Sequence, residues 1–441
     1  MERDVPKQLH LCQMFFYSPI SNTILSWADP DDRQIEGLTS FSYWQDIART
    51  LEQGCFDAVF LADTQVARSE YEGQPDAALK YGVVWPAHDP VPIAAVMASA
   101  TEHLGIAITQ STAGTAPYVA MRKLSTLDCL SHGRVAWNIV TGGFAAEHFA
   151  VGVGTAPDTE TRYAQADEYV AICKQLWDSV PADAILADRS TGIFADPSKI
   201  KRVDFEGSYL RCKAVSAALP SPQGYPVLVM AGASGPGVSF AAHHAEVVFA
   251  NQPTVEAMRA VQAKFDAAAA EIGREEPIRI LFGVQVIVAD DREGAQRIAD
   301  RLAAKVPLEA SLARLSSSIG IDLSTFDPDE PFTPTQGRGS QGHLASYTSR
   351  IDGRQPTLRE VAGRVAISSG APQVFGSPQE VADQLEQLWR DTGCHGFNIY
   401  SPIVPAGIDR FVKDVVPLLQ EKGIFRRRYE GRNLRENIVG D

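Results

Sequence analysis

The sequence predicts an α/β fold and, within that class, a closed (β/α)8 barrel, the TIM barrel. Eight short runs rich in β-branched and aromatic residues alternate with longer amphipathic stretches, which is typical of parallel strands joined by helices. Eight such units are the number that a TIM barrel needs. The first run continues into FYSPISNTILSWADP, which lacks the glycine-rich turn expected after the first strand of many open doubly wound sheets.

The eight predicted strands are runs of mostly apolar residues of ordinary strand length. A continuous apolar run indicates a strand that is buried on both faces, as in a parallel sheet. The predicted strands are LHLCQMFF (9–16), DAVFLA (57–62), LGIAIT (104–109), RVAWNIV (134–140), PVLVMAG (226–232), EVVFAN (246–251), IRILFGVQVIV (278–288) and HGFNIYS (395–401).

The predicted helices lie between these strands, and several have recognisable starts. Pro117 suits a first helical turn, and Thr254 and Asp290 are placed to cap the segments that follow them. One face of segment 160–178 is apolar, and we expect it to pack on the sheet. Its residues recur at helical spacing: Tyr163, Ala166, Val170, Cys173 and Trp177. The predicted helices are 41–54, 90–103, 117–131, 160–178, 235–245, 255–273, 291–304 and 407–422.

Three long insertions interrupt the regular alternation, after strands 2, 4 and 7. Residues 64–89 and 179–225 are rich in Pro, Gly and Asp, and residues 305–370 contain SSSIG, FDPDEPFTPTQGRGSQG and the helix-like TLREVAGRV. Because long loops in compact domains are often functional, we predict that the region at about 305–370 is a mobile lid. We expect one domain over residues 1–441, with a C-terminal extension at about 423–441.

The composition disfavours several classes of partner. With 54 acidic and 40 basic residues, the formal net charge is −14, which would repel nucleic acid. The one basic cluster, Arg426 to Arg428, is interpreted as a solvated helix end or a contact between subunits. No window reaches the ~18 apolar residues of a membrane-spanning helix. No N-terminal apolar stretch resembles a signal peptide, because MERDVPKQLH is charged and the LCQMFFY after it is too short. The six cysteines are scattered. We expect a cytoplasmic protein.

Two further motifs lack the context that their chemistry needs, and a third is absent. GRGSQG (337–342) matches GxGxxG, but no predicted strand precedes it. His243 and His244 are adjacent on a predicted helix and point in different directions, and no HExxH motif supplies further ligands, so we predict no metal site. No GxSxG nucleophile elbow is present.

Polar residues and glycines directly follow four of the predicted strands. In a TIM barrel the C-terminal strand ends and the loops after them form the active site. Asp63 follows the second strand, Gln110 to Thr112 the third and Gly232 to Gly235 the fifth, while Asn138 and Thr141 to Gly143 end the fourth. Each also has a structural interpretation, because Asp63 could cap a turn, Asn138 could satisfy buried backbone and the glycines could turn the chain.

The segment AGASGPG, followed by SFAAHHA, indicates a phosphate site. Small residues let backbone amides approach an anion, and a helix that begins near Ser234 directs its free N–H groups and partial positive charge to the same place. Arg162 and Tyr163 begin the helix after the fourth strand and therefore also belong to this face, although Tyr163 continues an apolar stripe and could be a core residue.

Several long motifs, in one order and over nearly the whole chain, resemble the large component of two-component flavin monooxygenases in the bacterial luciferase-like superfamily. This group includes nitrilotriacetate monooxygenase component A and dibenzothiophene-sulfone monooxygenase. The stretches that carry the resemblance are GCFDAVFLAD (54–63), APYVAMRKLSTLDCLSHGRVAWNIVTG (116–142), RYAQADEYVAICKQLWDS (162–179), FADPSKIKRVDFEGSYLR (194–211), PSPQGYPVLVMAGASGPGVSFAAHHAEVVF (220–249), HGFNIYSP (395–402) and GIFRRRYEG (423–431).

This resemblance implies an enzyme that uses reduced FMN (FMNH2) and O2. A separate NAD(P)H:FMN reductase supplies the flavin in such pairs, and one oxygen atom enters a small organic substrate through a flavin peroxide. A homodimer or homotetramer is expected. Carried over by position, the cofactor-binding candidates are Asp63, Thr109, Thr112, Asn138, Thr141, Gly142, Tyr163, Gly232, Ser234 and Gly235. Near the barrel mouth, Asn138, His88 and Ser18 are the candidates for a catalytic role.

The sequence departs from its relatives at positions that bear on the cofactor. Relatives commonly have serine where this chain has Gly142 and glutamine where it has Met230. The flavin pose or the substrate could therefore differ. Two alternatives stay open: a deazaflavin-dependent oxidoreductase of the same superfamily, and a non-catalytic flavin-binding barrel.

Overall fold

The structure is a computed structural model that describes residues 8–232, 235–334, Leu344, Tyr347 and 353–440. Its strands are β1 (His10–Phe16), β2 (Ala58–Ala62), β3 (Gly105–Ser111), β4 (Val135–Val140), β5 (Ile185–Asp188), β6 (Ile193–Ala195), β7 (Val203–Glu206), β8 (Arg211–Ala214), β9 (Val227–Ala231), β10 (Val247–Ala250), β11 (Arg279–Val288), β12 (Gln373–Gly376) and β13 (Gly396–Tyr400).

Eight of these strands form a closed parallel barrel. Their order around the barrel is β10, β9, β4, β3, β2, β1, β13 and β11, and the pairing of β11 with β10 closes the ring. These eight are the strands that the sequence predicts, so the TIM barrel is confirmed. The short strand β12, which pairs with the end of β11, was not predicted.

The barrel strands are buried on both faces because successive side chains point to opposite sides. In β4, for example, Trp137 and Ile139 point outward into the core that lies between strands and helices, whereas Ala136 points into the barrel. The barrel interior is filled by a second cluster of side chains, here called the interior cluster. Its buried members are Cys12, Ala58, Phe60, Ala62, Ala107, Ala136, Val227, Val229, Val247, Phe249, Leu281, Leu434 and Ile438.

The helices surround the barrel, and their starts follow the capping rules. Thr254 caps its helix as predicted, since its hydroxyl accepts a hydrogen bond from the Ala257 N–H at 3.2 Å. Asp290 is a wrong prediction: Asp291 is the cap, because its carboxylate accepts from the Gly294 N–H at 2.7 Å. The α-helices are α1 (Gln34–Gly37), α2 (Phe41–Gln53), α3 (Asp76–Tyr81), α4 (Pro90–Ser99), α5 (Pro117–Leu130), α6 (Ala145–Ala150), α7 (Thr159–Trp177), α8 (Gly235–His244), α9 (Val255–Glu271), α10 (Arg292–Ala304), α11 (Leu308–Ile319), α12 (Leu358–Ser368), α13 (Pro378–Thr392), α14 (Ala406–Arg410), α15 (Val416–Glu421) and α16 (Leu434–Ile438).

The three insertions contain structure of their own. The first carries α3, and the second carries two antiparallel hairpins, β5–β6 and β7–β8. In the third, α11 and α12 pack around a separate apolar cluster that includes Leu315, Ile319 and Val361. The GRGSQG segment lies outside the described residues. A mobile lid at about 305–370 stays a prediction.

The C-terminal extension closes the N-terminal end of the barrel. Leu434 and Ile438 of α16 belong to the interior cluster. Nearby, Arg426 is buried and donates to Asp57 at 2.5 Å and to the Asn437 carbonyl at 2.9 Å. Burial opposes ionisation of Asp57, but the charges of Arg426 and His10 hold its pKa below the usual value. The interpretation of Arg426 as a solvated residue or subunit contact is therefore wrong, because its charge is needed by a buried carboxylate.

Other sequence expectations concern membranes and thiols. Within the described ranges, no helix is long and apolar enough to cross a membrane. All six cysteines are free thiols.

Candidate active site at the barrel mouth

The barrel mouth is the end of the barrel where the C-termini of the eight barrel strands meet. Because β9, β4, β3 and β2 are consecutive neighbours, the residues that follow or end them lie side by side on one half of the mouth. The structure thus brings together most of the predicted site. Its members there are Asp63, Thr109, Thr112, Asn138, Thr141, Gly142, Gly232 and Gly235.

Asn138 and Thr109 form a buried polar pair on the barrel's inner face. They are direct register partners in β4 and β3, and the Asn138 Nδ2 donates to the Thr109 hydroxyl at 2.8 Å. Asn138 is 2% exposed, yet its Oδ1 has no hydrogen-bond partner among the described residues. Buried polar atoms nearly always have a partner, so this acceptor is suited to an N–H donor from a bound molecule.

Gly142 occupies a backbone position that favours glycine. Its φ is +66°, and an added Cβ would lie 3.0 Å from both the Ala113 Cβ and the His148 Nε2. Its carbonyl accepts hydrogen bonds from the His148 Nε2 at 2.9 Å and the Arg162 Nη1 at 3.0 Å. The positive φ and the crowding by Ala113 and His148 therefore explain why this position has glycine and not serine.

Met230, the second departure from the relatives, does not face the barrel interior. It is 4% exposed and belongs to the core between strands and helices. Its neighbour Val229 points inward instead. The substitution for glutamine thus changes packing on the outer face of β9 rather than the inner face.

Helix α7 holds the loop after β4. Besides the Gly142 carbonyl, the Arg162 guanidinium contacts the hydroxyls of Thr141 at 3.4 Å and Thr159 at 3.0 Å, and burial lowers the pKa of Arg162. Tyr163 packs against the outer core, with its ring centroid 5.6 Å from that of Phe240 in α8. The core interpretation of Tyr163 therefore holds, and a flavin contact by this residue stays a prediction.

The predicted phosphate site has open space beside its glycines. Gly232 adopts φ +109° and donates its N–H to the Phe249 carbonyl at 2.9 Å. A Cβ added at Gly232 or at Gly235 would meet no heavy atom within 4 Å. Helix α8 begins at Gly235, so free backbone N–H groups lie there. Ser234 lies outside the described residues.

An acidic group lies at the end of β2. Burial, followed by repulsion from Asp89 and Glu147, raises the pKa of Asp63 to about 7. The Arg68 guanidinium lies 3.2 Å from Glu147 and 3.6 Å from the Phe144 ring centroid. Asp63 can therefore exchange a proton near neutral pH. Sequence reasoning missed Arg68 and Glu147, because they come from separate loops and no local motif connects them.

The catalytic candidates lie on two sides of the mouth. Ser18 is buried, and its hydroxyl has no partner among the described residues. His88 is exposed, with its ring 4.9 Å from that of Tyr17, and its backbone N–H donates to the Tyr17 carbonyl. Both follow or contact β1, three strands away from the β4 residue Asn138. No hydrogen bond among the described residues joins the three.

Strand ends on the other half of the mouth supply groups that the sequence analysis did not select. The Tyr400 hydroxyl donates to the Asn251 Oδ1 at 2.6 Å, and a Cβ at Gly283 would collide with both. Asn398 in β13 is buried, and its Oδ1 is another acceptor without a partner in the described part of the chain. The strand-end rule would have found Asn251 and Tyr400 if applied to the sixth and eighth strands.

The two adjacent histidines have structural partners. The His244 Nε2 lies 2.8 Å from Asp167, and the His243 Nδ1 lies 2.9 Å from the Ser239 carbonyl. In the described ranges, no three His, Cys, Asp or Glu residues are grouped to hold a metal. A groove of about 380 Å³ lies by these histidines, but it also contains Glu246 and Arg279 before or at the starts of β10 and β11. It is therefore at the end opposite the mouth.

Comparison with known proteins gives one consistent result. The luciferase-like monooxygenase family model matches residues 23–396. The chain is 34% identical to dibenzothiophene-sulfone monooxygenase of Rhodococcus erythropolis (strain XP) over 443 residues, covering 98% of this chain and 96% of that protein. It is 34% identical to nitrilotriacetate monooxygenase component A of Aminobacter aminovorans over 442 residues, with the same coverage of 98% and 96%.

A solved structure extends the likeness to three dimensions. The crystal structure of a riboflavin lyase with modified FMN and its substrate riboflavin superposes with a TM-score of 0.90 at 30% identity. The match covers 98% of this chain and 96% of that one.

Proposed function

The chain belongs to the luciferase-like monooxygenase family and is a flavin-dependent monooxygenase, and we propose that it is the oxygenating component of a two-component pair. In this proposal the barrel mouth binds reduced FMN released by a separate NAD(P)H:FMN reductase. When bound, reduced FMN supplies the electrons with which O2 is split, so that one oxygen atom enters the substrate and the other leaves as water.

The unpartnered Asn138 Oδ1 is the observation that carries the proposal. It is a buried acceptor on the inner face of the barrel, already held in one orientation by the Thr109 hydroxyl. The isoalloxazine ring of reduced FMN offers N–H donors, and its flat apolar surface suits the apolar strand residues of the interior cluster. Asn138 and Thr109 fit the flavin by this criterion.

Gly232 and Gly235 support placing the phosphate end at α8. The space beside both glycines lets the phosphate approach the backbone, and the first N–H groups of α8 can bind its charge. Thr141, Gly142 and Arg162 lie next to this position in the loop after β4 and the start of α7. We propose that they orient the cofactor, together with Thr112, Tyr163 and Ser234.

The residues of this chain then have three tasks: to bind the cofactor, to limit water and to hold a proton. Asp63 can hold a proton on its carboxyl group at neutral pH, since its pKa is about 7. The buried Ser18 hydroxyl can donate to a substrate atom, while His88 and Tyr17 form part of the rim. We propose Asn138, Ser18 and His88 as the groups nearest the reaction.

The two relatives compared above over nearly the whole chain are named monooxygenases, which favours this function over a deazaflavin-dependent oxidoreductase or a non-catalytic barrel. A homodimer or homotetramer stays a prediction, which light scattering would measure.

The test is oxygen transfer from isotopically labelled O2. The protein is supplied with photoreduced FMN, and a panel of small sulfur compounds, alkanes and organic acids is examined by mass spectrometry. We expect one labelled oxygen atom in at least one product, only with reduced FMN and in the presence of catalase, which removes peroxide released from free flavin. Tight binding of reduced FMN without any labelled product would favour the non-catalytic barrel. Tighter binding of a reduced deazaflavin would favour the other alternative.

A further inference from the structure

Resting on this proposed function, we propose that the substrate carries an anionic group, such as a carboxylate or sulfonate, and that Arg314 of the third insertion binds it over the barrel mouth. Arg68 of the first insertion supports the same anion. The substrate class is therefore a small organic acid with an apolar portion.

Helix α11 places Arg314 at the mouth. The helix packs through buried residues such as Leu312 and Leu315, which belong to the apolar cluster of the third insertion. The guanidinium carbon of Arg314 lies 5.7 Å from the ring centroid of Phe16. Phe16 is the last residue of β1 and packs against the interior cluster. Arg314 therefore lies above the C-terminal end of β1.

The charge of Arg314 is not neutralised within the described part of the chain. No hydrogen bond or ion pair joins its guanidinium to another residue of that part, the side chain is partly buried, and burial lowers its pKa. The groups that act most strongly on its charge after burial are Tyr347, Arg68 and Tyr400, none of which is a carboxylate. By contrast, the buried Arg134 donates to the Thr101 hydroxyl and to three backbone carbonyls. A partly buried cation without a partner is costly to maintain, which points to a missing anion.

Arg68 adds a second donor. Its Nη2 lies 3.2 Å from the Glu147 carboxylate, while its Nη1 is buried and has no partner among the described residues. Repulsion from Arg68 contributes to the lowered pKa of Arg314, so the two guanidinium groups are close enough to interact. Asp63 interacts with the Arg68 charge, but burial raises the pKa of Asp63 to about 7, so this carboxyl group is only partly ionised at neutral pH and offsets that charge only in part. An anion at Arg314 would relieve the repulsion and satisfy free N–H groups.

The strand order separates this anion from the flavin phosphate. The proposed phosphate position follows β9, and passing from β9 through β4, β3 and β2 to β1 takes four steps in an eight-stranded ring. Arg314 at β1 is therefore across the barrel from Gly232 and Gly235. With the flavin phosphate assigned to the far side, we assign the group at Arg314 to a different molecule. The Phe16 ring offers an apolar surface for its carbon skeleton.

The test compares matched anionic and neutral probes. Binding of hexanoate and hexanamide, benzoate and benzamide, and benzenesulfonate and benzenesulfonamide is measured by calorimetry on the wild-type protein and on Arg314→Gln, Arg314→Lys and Arg297→Gln. Arg297 is the matched control, since its side chain is 70% exposed on α10. Anaerobic titration with reduced FMN is performed on the same four proteins.

We expect wild type to bind at least one anion about tenfold or more tightly than its neutral partner, and Arg314→Gln to lose about 10- to 100-fold of that affinity. Arg314→Lys should retain part of it, because the charge is kept and the planar fork is lost. Arg297→Gln should match wild type. Affinity for reduced FMN should be unchanged in all variants. No preference for any anion, an unchanged Arg314→Gln, or equal losses for anion and FMN would overturn the proposal. If only the proposed flavin function is wrong, the wild-type protein will bind anions more tightly than their neutral partners but will not bind reduced FMN.

Discussion

Replacing Gly142 with alanine should destabilise the protein, whereas the same change at Gly143 should not. Gly142 has φ +66° and is buried, while Gly143 is exposed and its added Cβ would have only the Arg162 Nη1 nearby, at 3.6 Å. Both variants lose the same backbone freedom in the unfolded chain, so that contribution cancels in the comparison. The difference between them therefore isolates the conformation and crowding at Gly142.

The size of the effect follows from two contributions. A non-glycine residue in the left-handed region costs about 1–2 kcal/mol. The new Cβ would also lie 3.0 Å from the His148 Nε2 and disturb its hydrogen bond to the Gly142 carbonyl, which is worth about 0.5–1.5 kcal/mol. The expected difference is about 2–3 kcal/mol. With an unfolding entropy of about 2.1 cal/mol/K per residue over 441 residues, this corresponds to about 2–3 °C in Tm.

The assay is thermal unfolding of wild type, Gly142→Ala and Gly143→Ala at one scan rate, followed by circular dichroism. Gly142→Ala should unfold at the lowest temperature, with Gly143→Ala close to wild type. Equal transition temperatures for the two variants would refute the explanation that the backbone conformation at position 142 requires glycine. The difference from the serine of the relatives would then have to be explained by ligand binding alone.

The remaining predictions concern the buried charges and the closure of the barrel. Asp57→Asn should cost about 3–5 kcal/mol in urea unfolding because it leaves Arg426 buried and unpaired, whereas the exposed Glu36→Gln should have no measurable effect. Because burial raises the pKa of Asp63 to about 7, its neutral form stabilises the fold at low pH, and this contribution is lost as pH rises from about 4 to about 7. The Tm of Asp63→Asn relative to that of wild type should therefore increase as pH rises across that range. A relative Tm that increases as pH falls would contradict the raised pKa of Asp63. Leu434→Ala should cost about 2–5 kcal/mol in the same urea assay, and an unchanged midpoint would mean that α16 does not close the barrel.

The barrel could be predicted from sequence because each of its strands is a separate apolar run. RVAWNIV illustrates this: its outward residues pack on helices and its inward residues fill the barrel, so both faces need apolar side chains. The same pattern marked Asn138 as an exception, and the structure places it on the inner face with an unpartnered oxygen. Strand β12 was missed because four residues at the edge of an insertion carry too little pattern.

Long-range pairing was the part that sequence reasoning could not supply. Arg426 looked like a solvated residue because its neighbours in sequence are arginines, and its partner Asp57 is 369 residues away. Arg68 and Arg314 come from different insertions, and only folding brings their charges near enough to interact. Gly142 was marked as a departure, but the reason for it depends on the positions of Ala113 and His148, which no local pattern encodes.

The central claim is that the inner face at Asn138 binds reduced FMN, and anaerobic titration of wild type and Asn138→Ala with photoreduced FMN tests it most directly. We predict saturable binding to wild type and affinity about 2- to 12-fold weaker in Asn138→Ala, the effect of one lost hydrogen bond. Equal affinities in the two proteins would contradict the role of Asn138. No binding of reduced FMN to wild type would contradict the assignment of the barrel mouth as the cofactor site.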